Sequence, residues 1–107
     1  MSHRVLLATQ AEDDIVAIHA WVVRGQGREA ADHVRDGLIE TISSLVELPG
    51  RGHHPPELAR LGVFDYREVH WTRYRVIYST GETVVVHAVF DGRRSVQDVL
   101  AERLLRR

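Results

Sequence analysis

Tyr66–Arg94 reads YREVHWTRYRVIYSTGETVVVHAVFDGRR, and it decides the fold. Aromatic and β-branched residues fill three runs, Tyr66 to Trp71, Tyr74 to Ser79 and Thr83 to Phe90, separated by only a few residues each. Such runs predict three consecutive strands in an antiparallel meander. Thr80-Gly81-Glu82 joins the second run to the third, and Gly81 is expected to take the positive φ that a tight hairpin demands. Arginines recur at Arg67, Arg73, Arg75, Arg93 and Arg94. A sheet of this size does not need them for stability.

Upstream, Arg4 to Ala8 is a short apolar run expected to enter the same sheet. Thr9-Gln10-Ala11-Glu12 has capping-box spacing, which makes Thr9 the expected N-cap of a helix. Ala11, Ile15, Ile18 and Val22 form its apolar face, and Arg24-Gly25-Gln26-Gly27 its end. A second helix is expected from about Arg28, with Ala31, Val34, Leu38, Ile42, Leu45 and Leu48 as its stripe and Pro49-Gly50 as its stop. Gly37 weakens that helix slightly. So short a loop predicts an antiparallel helix hairpin. Residues 49–65 hold all three prolines and three of the eight glycines, the one long connector, with a single helical turn expected at 56–61. Ser95 is placed to cap a last helix in which Val96, Val99, Leu100, Arg103 and Leu104 follow three-four spacing, ending in Arg106-Arg107. The fold class is therefore α+β.

At 107 residues, with 44% hydrophobic and 27% charged side chains, the chain is in the range of one globular domain. It has no cysteine, which excludes disulfide scaffolds and thiolate metal sites and makes a reducing, cytoplasmic setting the expectation. No run approaches the ~18 apolar residues of a membrane span. The net charge of -1 conceals an asymmetry: residues 1–50 carry 4 arginines against 8 acids, residues 51–107 carry 10 against 7. Guanidinium forks suit carboxylates and phosphates, so the basic half is a candidate surface for an acidic partner or nucleic acid.

The order of elements resembles the RelE/ParE superfamily of toxins from bacterial type II toxin-antitoxin modules, and the ParE branch in particular. The pieces that carry this are Ala11-Glu12 with Asp14-Ile15 and Trp21, Leu48-Pro49-Gly50-Arg51-Gly52 with Pro56-Glu57-Leu58, Tyr66-Arg67-Glu68, Tyr74-Arg75-Val76-Ile77-Tyr78, and Val89-Phe90-Asp91-Gly92-Arg93-Arg94. The resemblance implies a cytoplasmic toxin neutralised by a cognate antitoxin, in assemblies that the antitoxin can bridge. ParE-like members imply inhibition of DNA gyrase by binding; RelE-like members imply cleavage of messenger RNA on the ribosome. A third alternative is an inactive, toxin-like interaction module. Membrane partners and direct reading of DNA sequence are not implied.

Under the gyrase reading, Arg67, Arg75, Arg93 and Arg94 are the expected target-binding residues. Under the ribonuclease reading, Arg67, Arg75 and Arg94 fall where RelE-like relatives carry functional basic residues, and an acid-base partner is needed. The last helix has Val96, Val99 and Leu100 where those relatives place a tyrosine or histidine. His70, His87 and Glu68 are the available substitutes, and neither histidine has a carboxylate at obvious orienting distance in sequence. Each residue also has a plainer reading. Arg67 and Arg75 can pair with Glu68, Asp65 or Glu82 across strands, whereas Arg93 and Arg94, after the Asp91-Gly92 turn, are expected at an exposed strand end. His53 and His54 read as solvent-facing loop histidines, because adjacent imidazoles lack the spacing of a metal site. Trp21 is expected in the core between helices and sheet, Trp71 partly exposed at a strand end, and Glu12-Asp13-Asp14 as acids favoured by the first-turn dipole. No nucleotide fingerprint or catalytic triad is present, so neither cofactor nor metal is expected.

Overall fold

A computed structural model describes residues 3–105; the Arg106-Arg107 end and the side chain of Leu104 lie outside the described residues. The elements are β1 (Arg4–Leu7), α1 (Thr9–Gln26), α2 (Arg28–Ser43), one 3₁₀ turn (Ser44–Val46), α3 (Pro56–Ala59), β2 (Arg67–Trp71), β3 (Tyr74–Ser79), β4 (Thr83–Asp91) and α4 (Val96–Leu105). The meander forms as expected, and β1 joins it parallel to β4, giving the strand order β1-β4-β3-β2. The chain is α+β, with the helix hairpin on one face of a mainly antiparallel sheet.

Strand alternation divides the side chains between two faces. Val69 of β2, Tyr74, Val76 and Tyr78 of β3, and Val84, Val86 and Val89 of β4 meet Ala11, Ile15, Leu38, Ile42 and Leu45 from the helical side. Ile77, Ala88 and Phe90 point the other way and pack with Leu58, Val96 and Val99 from α3 and α4. The switch from even to odd positions on β4 has a cause: the β3–β4 register shifts between Ile77 and Tyr78, so that Ala88 and Val86 are consecutive partners and His87 is the extra residue. The bulge moves the hairpin-facing positions of this nine-residue strand from even to odd numbers.

Several local expectations change. Ala8, not Thr9, is the N-cap of α1, with no side-chain cap bond. The Ala8 amide still donates to Val86 in the sheet while its carbonyl accepts from Ala11 and Glu12, so the chain passes from strand to helix at one residue. Asp14 is more than a dipole acid: it accepts the Val89 amide at 2.9 Å and is paired with Arg103 of α4. Because β1 stops opposite Val86, β4 has no strand neighbour on that side at Val89, and Asp14 supplies the missing acceptor. Burial raises the Asp14 pKa against those bonds. Leu48 is exposed, because α2 gives way after Ser43 to a 3₁₀ turn whose tighter winding rotates the stripe. Gly81 is not at positive φ; pairing of Ser79 with Val85 leaves a wider loop that does not require it. Thr72 takes that conformation instead, φ 50°, in the two-residue turn between paired Trp71 and Tyr74.

Trp21 is 55% exposed, a correction to its expected core position. It lies beside the core stripe and under the Arg73 guanidinium, 5.8 Å from ring to Cζ. Trp71 is the tryptophan that reaches the core, packing over α2 where Gly37 has no side chain; a Cβ there would come within 2.0 Å of its ring. Gly37 thus makes room for the sheet.

The connector is bound to the sheet by backbone and side chain. The Tyr78 hydroxyl donates to Pro49 at 2.8 Å and accepts from the Gly52 amide at 3.0 Å, while Arg67 donates to the Gly52 carbonyl at 2.9 Å. His53 and Glu68 exchange both backbone hydrogen bonds, 3.1 and 2.7 Å. At Gly52 an added Cβ would stand 2.5 Å from the Glu68 carbonyl oxygen and from the Tyr78 hydroxyl, with backbone on one side that cannot swing away. Gly52→Ala is therefore expected to lower stability by about 2 kcal/mol, as overpacking does. Urea unfolding of the two proteins checks this, and an unchanged midpoint would refute the contact.

Candidate functional site

The face of the sheet turned away from the helix hairpin carries a polar cluster at its β2 edge. Glu68 and His70 lie two residues apart on β2 and so share a face, and His70 pairs in register with Arg75 on β3, itself opposite Phe90 on β4. Glu68 is 1% exposed and Arg75 7%. Charged residues that deep require partners, and α3 supplies one: Pro56 begins the turn and Glu57 sits over Arg75.

Every N–H of the Arg75 guanidinium is occupied. Nε donates to Glu68 at 2.8 Å; one terminal nitrogen donates to Glu68 at 2.8 Å and Glu57 at 2.9 Å, the other to Glu57 at 2.8 Å and the Arg94 carbonyl at 3.3 Å. The Phe90 ring lies against the same group, 5.5 Å from Cζ to centroid. Two carboxylates therefore grip one cation in fork geometry. The Glu57 bond raises the Arg75 pKa further, against burial, and Glu68 adds to the effect. Hydrogen bonds from Arg75 hold Glu57 down at about 2. For Glu68 burial opposes the charge, yet the bonds from Arg75 and His70 outweigh it and its pKa falls below the usual range.

Two histidines complete the cluster. His70 Nε2 is 2.6 Å from Glu68 Oε1, so the carboxylate that sequence distance did not offer is present through strand alternation. His53 Nε2 stands 3.6 Å from Glu68 Oε2, and its ring meets the His70 ring edge-on at 5.5 Å between centroids. His53 is exposed, as a loop histidine should be, but it is aligned over β2 rather than loose. His54 turns to the Tyr66 carbonyl, to which Nδ1 donates at 3.0 Å, so the adjacent pair does not act as a unit. Together with Pro56, Arg60 and Gly92 these residues line an open cleft of about 370 Å³.

The remaining candidates are dispersed. Arg67 faces the connector, bound to Gly52, and pairs with none of Glu68, Asp65 or Glu82. Arg94 pairs with Glu102 of α4 at 2.8 Å. The Arg93 side chain is 84% exposed beside Asp91, which Arg73 also contacts. The Arg93 amide and guanidinium, with Arg73, press the Asp91 pKa well below its ordinary value. Arg73, Asp91 and Arg93 edge a second groove of about 280 Å³ with Trp21, Tyr74, Ala17 and Ile18. His87 sits at the bulge, bonded to Ser79 at 2.8 Å and edge-on to Tyr66, and burial lowers its pKa. Its partners, Ser79 and Tyr66, are not those of Arg75 or His70. Glu57 appears in the sequence reading only within the Pro56-Glu57-Leu58 motif, without a role, since nothing local links an acid one turn into a connector to Arg75.

Removing Arg75 strands two carboxylates, one of them fully buried. Arg75→Ala is expected to cost about 3 kcal/mol, the scale for breaking a buried pair. The acid limb of stability follows from Glu57, whose folded pKa is depressed: the contribution is complete above its unfolded value near 4.5 and is lost as pH falls toward about 2. Denaturation between pH 2 and 5 should show that decline in the wild type and a shallower one in Glu57→Gln; parallel curves would contradict it.

Residues 5–96 match the family described as ParE toxin of type II toxin-antitoxin system, parDE. Among curated protein sequences none matches this chain. A solved structure of a chromosomal ParDE toxin-antitoxin system from P. aeruginosa is similar over 84% of this chain and 96% of that one, TM-score 0.69 at 17% identity. The toxin-antitoxin complex RelBE2 from Mycobacterium tuberculosis is similar over 85% and 92%, TM-score 0.61 at 18% identity. Identities so low speak for the fold alone, while the family match spans strand, hairpin, connector and meander. The chain belongs to the ParE toxin family of type II toxin-antitoxin systems.

Proposed function

We propose that this protein is a toxin that acts by binding rather than by cleaving RNA, with DNA gyrase as its target in the cytoplasm and a cognate antitoxin as its neutralising partner. The observation that carries the choice is the saturation of Arg75. A ribonuclease needs a cation free to receive negative charge as the phosphate becomes pentavalent, whereas this guanidinium has no N–H left to offer. Two carboxylates beside it repel a phosphate further. An inhibitor that binds loses nothing by this arrangement.

The binding surface in this reading lies at the strand end, where Arg93 stands free of the core and Trp21, Tyr74 and Arg73 line the adjoining groove. Exposed Trp21 with Arg73 and Arg93, over the buried edge of Tyr74, brings together residue types that dominate binding energy at protein interfaces. Arg94, next in sequence and paired with Glu102 of α4, extends the patch in this reading, while Arg67 is bound to the connector and Arg75 to its two carboxylates. The antitoxin is expected to cover exposed apolar residues of the helix hairpin, such as Val16 and Trp21, and to bring acids to the arginines. It can bridge toxins into a hetero-oligomer.

Purified protein should slow DNA supercoiling by gyrase, and Arg93→Ala with Arg94→Ala should reduce that inhibition at least tenfold with an unchanged melting temperature. The effect should weaken with salt. Translating ribosomes treated with the same preparation should show no new cuts in messenger RNA. The ribonuclease reading has one observation in its favour, His70 held on Glu68, so His70→Ala belongs in the assay. Codon-linked cleavage lost in that variant, with gyrase unaffected, would overturn the proposal. Expression alone should arrest growth and co-expression with an adjacent antitoxin gene relieve it; growth unaffected in both cases would leave an interaction module.

A further inference from the structure

We propose that His53, Glu68 and His70 form a binding site for a first-row divalent transition metal, with zinc the best fit. The inference stands apart from the toxin reading, since it rests on side-chain geometry alone. One ligand atom from each residue lies within 4.8 Å of the other two. Bound zinc sits ~2.0–2.2 Å from imidazole nitrogen and carboxylate oxygen, which sets ligand atoms ~3.4 Å apart in a tetrahedral site; His53 at 3.6 Å from Glu68 is near that spacing and His70 at 2.6 Å has to draw back by a small rotation. Both imidazoles are more than half exposed and free to make them. The backbone is already set: His53 and Glu68 are direct partners in an antiparallel bridge, and His70 follows Glu68 on the same face of the strand.

The surroundings favour a cation. Glu57 and Glu68 bring two negative charges against one from Arg75, so the buried cluster has a deficit of positive charge at the point where the histidines converge. Arg75 holds the Glu68 carboxylate in place, as an outer partner holds a metal ligand. Two imidazoles select zinc and its neighbours over magnesium or calcium, which prefer oxygen. The metal would replace the hydrogen between His70 Nε2 and Glu68 Oε1, with the neutral imidazole shifting its proton to Nδ1. Three protein ligands leave a coordination position open toward the cleft, as sites that exchange a water do.

The test uses untagged protein, because a histidine tag would bind the probe. Titration calorimetry with zinc chloride should give one site per chain. His53→Ala and His70→Ala should each weaken it at least tenfold, while His54→Ala leaves it intact and magnesium chloride gives no heat at this site. Cobalt(II) supplies a second reading, a visible absorption band in the wild type that disappears in both variants. Both substituted side chains are exposed, and melting curves without metal verify the fold. Zinc affinity equal in all four proteins, or a cobalt band that survives both substitutions, would overturn the site.

Discussion

The grip of two carboxylates on Arg75 is the interaction on which the arrangement of this molecule depends. Glu57 comes from a four-residue helix in the connector, Glu68 from β2, Arg75 from β3, and Arg94 adds a carbonyl from the chain leading into α4. The connector, the β2–β3 hairpin and the lead into α4 are tied by one guanidinium. Desolvating three charges is costly, and only full use of all five donors makes it tolerable. The same completeness holds the connector against the sheet.

The sheet is asked to support two different packings. On one side it meets the helix hairpin through valines and tyrosines; on the other it carries the charged cluster and a small core with α3 and α4. A regular strand would give each position of β4 to one face by strict alternation. The bulge at His87 resets that alternation halfway, so Val89 continues the hairpin core and Phe90 lies under Arg75. Asp14 then closes the stretch of β4 that β1 is too short to cover. These devices position the cleft, and the bulge that makes them possible is carried by a histidine in a run otherwise apolar.

Membership in the ParE family fixes a biological setting, while the site residues shared out by the fold suggest a division of labour. Arg67 and Arg75 face inward and serve the structure; Arg93 stands outside, next to exposed Trp21. The histidines at the cleft mouth, His53 and His70, belong to neither group, and their common carboxylate makes them a unit of their own.

The sequence by itself determined the order of elements, because helix and strand periodicity, glycine stops and proline breaks act over a few residues and are written locally. The hairpin stripe through Leu38 and Ile42 and the three strands of the meander were legible for that reason, as was the family resemblance in the arrangement of motifs. What it left open depended on residues that meet only after folding. Trp21 leaves its expected core place for the surface, while Trp71, partly exposed at its strand end, also packs its ring over a glycine on α2. Glu57 finds Arg75 across 18 positions, and His53 reaches Glu68 across 15, through a connector with no period to read. Whether an arginine is a ligand-binding cation or a buried strut is set by how many carboxylates surround it, and that number is a property of the tertiary structure.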